Sequence, residues 1–213
     1  MSHYYGIVLV PSNTSDIKAQ VAQLLERFNV NTERPPYKDY MTSATLAYHS
    51  RRHKIVHGRW QELAKAVNPD EDQPWLADEH GLYKMSTQNP EGAFDWWMIG
   101  GRWDGVIQGK RRPGSPYEDE HQRVEHNSCL ARELRANARS RLASDHSGKL
   151  TWDFFWFFIT PDDTWHENPN GFWNDDVKDV DGNREREEVW WQRVDEILSQ
   201  HEDCIAVGVD CHL

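Results

Sequence analysis

Apolar positions along the chain fall into short unbroken runs and into stretches of helical spacing. Residues 4–10 (YYGIVLV) form a run of β-formers stopped by Pro11, which predicts a buried strand. Residues 12–15 supply turn and N-cap chemistry. Ile17, Val21, Leu24, Leu25 and Phe28 then follow at helical spacing. Residues 29–40, with Pro35-Pro36, read as a loop. Residues 43–67 contain no proline and read as one or two helices, and residues 68–74 break them. Residues 76–90 read as irregular with a short strand near Tyr83, and residues 94–107 as aromatic and β-prone, interrupted by Gly100-Gly101. Residues 110–120 read as a polar loop. Leu130, Leu134, Ala138 and Leu142 step by four and predict a helix over 124–142, ended by Gly148.

Residues 152–160 (WDFFWFFIT) are the most apolar stretch and predict a central strand. It turns at Pro161-Asp162-Asp163 into a second strand over 164–167. An acidic loop over 175–183 leads into a helix over 187–200 with a buried stripe of Trp190, Val194, Ile197 and Leu198. A last strand spans 204–212. The predicted fold class is α+β: an antiparallel sheet backed by helices, with a ferredoxin-like frame. Residues 1–213 read as a single domain in which residues 29–149 elaborate the frame.

Composition narrows the picture. The 213 residues include 11 Trp, so aromatic rings can build a core with few Leu and Ile. No apolar run reaches the length of a membrane span, and the first ten residues read as a strand, not a signal peptide. Three Cys (Cys129, Cys204, Cys211) suit a reducing compartment, which makes a cytoplasmic setting the expectation. The net charge of −11 is unevenly placed: residues 161–203 hold 14 acidic and 4 basic residues, while residues 102–141 hold 9 basic and 6 acidic. The bulk of the chain should repel nucleic acid, but the middle segment need not; the acidic stretch reads as a solvated loop and helix face, with a DNA-mimicking surface as the alternative.

The segment Asp95-Trp96-Trp97-Met98-Ile99-Gly100-Gly101-Arg102-Trp103-Asp104-Gly105 gathers the polar chemistry. Adjacent glycines permit a tight turn, Arg102 can fork onto phosphate or carboxylate, and Trp96, Trp97 and Trp103 can wall a base or sugar. The bland alternative is a β-bulge with core tryptophans. No Lys-Ser/Thr follows the glycines, so this is not a phosphate-binding loop. Alternation along the last strand puts Asp210 and His212 on one face and Cys211 on the other. That pair could serve as acid and base or as metal ligands, or could be a polar strand end. His166, in Trp165-His166-Glu167, could add a polar group to the same cleft, and Asp104 could support it.

Two metal readings fail on geometry. Cys204 and Cys211 on one strand lie about 23 Å apart, too far to share a zinc ion. A calcium loop around Gly182 would need a ligand at Val177. No residue is assigned as a metal ligand, and the cofactor stays open. Cys129, near a helix start, could be a nucleophile or an incidental buried thiol.

Several segments together resemble a set of uncharacterised phage and bacterial proteins. They are Gly81-Leu82-Tyr83, Ser86-Thr87, Asn89-Pro90, the Asp95–Gly105 segment, Thr160-Pro161-Asp162, Trp165-His166-Glu167, Gly171-Phe172-Trp173 and Val209-Asp210-Cys211-His212-Leu213. The shared pattern is NP…WDWY-x-IGGRW-x-G with a closing DCH(I/L). This chain departs at Phe94, where Trp after a basic residue is usual, and at Trp97, where Tyr is usual. The resemblance implies a phage or prophage context, implies no particular activity, and joins the glycine–arginine segment to the Asp210/His212 end.

Three function classes remain open. One is a phage-type accessory protein that binds a nucleotide, a nucleic acid or a host protein, with counter-defence among its roles. The second is an enzyme acting on a nucleotide or phosphorylated substrate with Arg102 and Asp210/His212. The third is a structural or assembly protein whose oligomer buries the tryptophans.

Overall fold

A computed structural model describes residues 3–68, 74–109, 123–144, 155–169 and 180–212. The predicted 110–120 loop, the stop at Gly148 and the first part of the acidic loop, residues 175–179, lie outside the described residues. The chain divides into two compact units, one of Met1–Val30 with Glu91–Leu213 and one of Asn31–Pro90.

The first unit is built on a six-stranded sheet. Strand β1 (His3–Val10) leads into helix α1 (Ile17–Glu26), whose N-cap Asp16 accepts the Ala19 N–H. The other strands of this sheet are β5 (Trp96–Ile99), β6 (Ser128–Leu130), β7 (Phe155–Ile159), β8 (Trp165–Glu167) and β9 (Ile205–His212). Their order is β5-β9-β1-β7-β8, and β6 also pairs with β9, beyond the end of β5. Every pairing is antiparallel except β1 with β7, which is parallel and shifts register between Tyr5 and Gly6. In a split βαβ frame another strand separates the two parallel strands. Here β1 and β7 are direct neighbours, so the strand order is not the ferredoxin-like one.

The helices cover both faces of the sheet. On one face Val21, Leu24 and Leu25 of α1 and the following Phe28 pack with Tyr4, Val8, Val10, Phe157, Ile159, Val207, Val209 and Cys211. On the other face helices α4 (Ala131–Ser144) and α5 (Val180–Gln200) lie over Tyr5, Ile7, Leu9, Phe155 and Phe158. The predicted stripe of Trp190, Val194, Ile197 and Leu198 is the buried one, and Trp190 Nε1–H donates to the Phe155 carbonyl at 3.2 Å. Because α5 begins at Val180, Asp181-Gly182-Asn183 belong to a helix, not to a loop. The helix read over 124–142 is instead a 3-10 turn, the short strand β6 and then α4, because Cys129 takes up pairing with Ala206 of β9.

In the second unit β2 (Tyr37–Tyr40), β3 (Leu76–Asp78) and β4 (Gly81–Ser86) form an antiparallel sheet in the order β2-β4-β3. Helices α2 (Ser43–His53) and α3 (Trp60–Val67) share a core of Met41, Leu46, Trp60, Leu63, Ala64 and Leu82 with it. No described helix is long and apolar enough to cross a membrane.

Candidate functional site

Strand β9 lies between β1 and β5, and register sets what meets along it. His212 stands opposite His3 on one side and Trp96 on the other. Asp210 stands opposite Tyr5 and Met98. Directly opposed residues share a face of the sheet, so His3, His212, Trp96 and Asp210 gather on the face that carries α4 and α5. The His3 and His212 rings meet edge to face at 5.0 Å between centroids, and Trp96 stands 6.1 Å from His3.

Each histidine is held by its own carboxylate. His3 Nδ1 lies 2.9 Å from Asp210 Oδ1, and His212 Nδ1 lies 2.7 Å from Asp95 Oδ1. The Asp210 side chain is fully buried, His3 is 8% exposed, His212 17% and Asp95 44%. The expected coupling of Asp210 to His212 is therefore replaced by two crossed pairs. Alternation placed the two residues on one face correctly, but cross-strand neighbours decided the partners.

Asp210 also organises the glycine–arginine turn. Its Oδ2 accepts the Arg102 backbone N–H at 3.0 Å. Gly100 and Gly101 both adopt positive φ, +75° and +52°, and a Cβ on Gly101 would lie 2.4 Å from Asp210 Oδ2. A Cβ on Gly100 would lie 2.3 Å from Asn127 Nδ2. Both glycines are thus required by conformation and by close approach. Arg102, exposed, sits in the 3-10 turn Gly101–Trp103 that leaves this pin.

Asn127, fully buried, fastens the rest of the segment. Its Oδ1 accepts the Gly105 N–H at 2.9 Å, and its Nδ2 donates to Asp104 Oδ1 at 2.7 Å and to the Arg123 carbonyl at 3.0 Å. Its backbone carbonyl accepts the Gly208 N–H at 2.8 Å. Asp104 is held here, with its Oδ2 3.9 Å from His126 Nδ1.

The three tryptophans do not form one wall. Trp96, 37% exposed, joins the histidines. Trp97 is on the opposite face, where with Asp16, Lys18, Ala19 and Ala22 it lines a shallow cleft of about 560 Å³. Trp103 packs against the core, 5.9 Å from the Tyr5 ring. His166 belongs elsewhere: it is on β8, four strands from β5, a separation of about 19 Å. There it stands 3.5 Å from Thr160 Oγ1 and 3.3 Å from Arg193 Nη2.

Burial lowers the His166 pKa, and the Arg193 charge lowers it further. A depressed folded-state pKa means that the unfolded chain binds more protons below its own pKa, about 6.5. Stability linked to His166 is therefore complete above that value and is lost as pH falls through it. Wild type should lose more stability than His166→Gln between pH 7.5 and 5.5 in urea titrations. Equal losses would remove His166 from the acid sensitivity.

Burial and the nearby Glu133 push the Cys129 thiol up to about 12, and burial raises Cys211 well above its usual range. Neither supplies a thiolate at neutral pH. Among the described residues no group of three or more His, Cys, Asp and Glu is placed to hold a metal. The sequence does not single out His3 or Asn127 as site residues, and Asp95 enters only as the first residue of the glycine–arginine segment. Only strand register, which sequence periodicity does not encode, brings His3 and Asp95 to His212. No family model, curated protein or solved structure matches the chain.

Proposed function

We propose that the protein works by binding a phosphate-bearing, base-containing ligand, a nucleotide or a nucleic-acid end, at the corner formed by β1, β9 and β5. The observation that carries this reading is the half-exposed Trp96 ring beside two carboxylate-held histidines, with the pinned Arg102 turn anchored on the same Asp210. An aromatic face takes a base or ribose, and arginine and histidine take negative charge. Trp97, Trp103, Asp104 and His166 drop out as direct contacts and act as packing or support. The resemblance to phage proteins suits an accessory role in the cytoplasm, with counter-defence as one such role, and the three free thiols suit that compartment.

A second reading is favoured by the His212–Asp95 bond. A carboxylate on Nδ1 fixes the tautomer that leaves Nε2 as a base, so the same corner would serve an enzyme acting on a phosphorylated substrate. Here His212 is the acid or base and Asp95, not Asp210, is its positioning residue.

A thermal-shift screen with mononucleotides, linear and cyclic dinucleotides and inorganic phosphate tests the binding reading. Ligand at a hundred times Kd should stabilise the fold by about 2.7 kcal/mol. The shift should vanish in Trp96→Ala and weaken in Arg102→Ala. No shift with any of these ligands, in a cooperatively melting protein, overturns the reading. Turnover abolished in His212→Ala with binding kept would favour the enzyme.

A further inference from the structure

From residue 40 to residue 61 the chain holds no Asp or Glu, although 35 occur in its 213 residues. Within that stretch Arg51, Arg52, His53, Lys54, His57 and Arg59 follow one another closely. Lys and Arg balance Asp and Glu over residues 31–90, so the whole net charge of −11 belongs to the other unit. Arg59 pairs with Glu62. Arg51, Arg52 and Lys54 are exposed and pair with no carboxylate among the described residues.

Cations in a last helical turn are favoured by the helix dipole, but these do not sit over the terminal carbonyls. Arg52 Nη1 reaches one turn back to the Tyr48 hydroxyl at 3.2 Å, and Arg51 Nε reaches the Ala47 carbonyl at 3.2 Å. The Arg52 guanidinium thus lies beside Tyr48, which is 51% exposed, and that of Arg51 lies over the neighbouring Ala47 carbonyl. Lys54 follows in the left-handed region at φ +55°, a position that glycine fills at less cost. The chain holds a cation there at the expense of local strain.

We propose that this flank of α2 and the turn after it bind the phosphate backbone of a nucleic acid. Arg51, Arg52 and Lys54 are the contacting cations, and Tyr48 offers a face to a base. The planar guanidinium fork matches a pair of phosphate oxygens, and an exposed ring beside the cations is the usual companion of single-stranded backbone binding. At physiological salt the acidic remainder of the protein is screened beyond about 8 Å, so a local patch governs contact. The surface lies on the unit of residues 31–90 and does not depend on the ligand reading of the β1–β9–β5 corner.

The test is fluorescence anisotropy with labelled 20-nucleotide single strands and duplexes of scrambled sequence, from 25 to 200 mM salt. Wild type should bind with log K falling linearly against log salt. The triple variant Arg51→Ala/Arg52→Ala/Lys54→Ala should lose at least about tenfold in affinity, and its slope should shrink by about 2 to 3, because each phosphate contact contributes about 0.7 to 0.9. Arg51→Lys/Arg52→Lys should keep the slope. Lys54→Gly relieves the backbone strain, so it should melt no lower than wild type and still lose about one contact from the slope. Lys18→Ala, which removes an exposed cation of the other unit, should leave the slope unchanged. Wild type that binds neither strand form at 25 mM salt, or a triple variant with the wild-type slope, overturns the proposal. A triple variant that melts lower while Lys54→Gly binds as wild type overturns it too, and assigns the cations to contacts within the protein.

Discussion

Replacing Asp210 with alanine is expected to destabilise the protein by about 2–6 kcal/mol, from two part-buried donors that lose their acceptor at about 1–3 kcal/mol each. The side chain is fully buried between β1 and β5, and its two oxygens take His3 Nδ1 and the Arg102 N–H. Gly101 leaves no room for a replacement group, because a Cβ there would already overlap the carboxylate. Asp210→Asn preserves volume, its oxygen can still accept the Arg102 N–H, and its Nδ2–H can donate to His3 Nδ1 once the ring takes the tautomer in which that nitrogen accepts. It should lose less than the alanine variant. Urea unfolding gives the measurement: the midpoint should fall with m unchanged. A loss under about 1 kcal/mol in Asp210→Ala would mean that water replaces the carboxylate, and that the turn is not anchored there. Against a total stability of about 5–15 kcal/mol, the expected loss is a large fraction. Ligand-binding assays on Asp210 variants must therefore be read beside their melting curves.

The outer elements of the first unit were legible because burial and periodicity agree in them, but their order in the sheet was not. Residues 4–10 are buried without interruption as β1, and the Trp190, Val194, Ile197 and Leu198 stripe covers them from one side. What escaped was set by contacts distant in sequence. Strand β6 has only three residues, and its place is fixed by pairing with β9 and by Asn127 beside it, so the step-by-four pattern running on from Leu130 read as continuous helix. Strand β2 (YKDY) is half-buried at best and lies on an edge, where alternation leaves no apolar signal. The tryptophans show the same limit. Neighbours in sequence on one strand must face opposite ways, so Trp96 and Trp97 could never line one wall once β5 formed. The crossed His3–Asp210 and His212–Asp95 pairs depend on the register of three strands, which composition and spacing do not specify.

Asn127→Ala is expected to cost about 2–4 kcal/mol, because it strands the Gly105 N–H, one Asp104 oxygen and the Arg123 carbonyl in a buried place. The nearly isosteric Asn127→Asp distinguishes a hydrogen-bonding role from a volume role. Asparagine donates from Nδ2 to Asp104 at 2.7 Å, so an aspartate would set two carboxylate oxygens against each other at that distance. Two carboxylates sharing such a site cannot both ionise cheaply, and one must take up a proton with a raised pKa. The Asn127→Asp variant should therefore be at least as unstable as the alanine variant at pH 8. Its deficit should shrink as pH falls toward about 4, where carboxylates protonate unaided. Alanine leaves no second carboxylate, so its deficit relative to wild type should change less over the same range. Parallel curves for the two variants would show that Asn127 fills space and that the Asp104 bond contributes little. An Asn127→Asp curve that converges on wild type at low pH would place the Gly100–Gly105 segment, and with it the Arg102 turn, under the control of a single buried amide. Loss of ligand response in Asn127→Ala would then follow from displacement of Arg102 and not from loss of a direct contact.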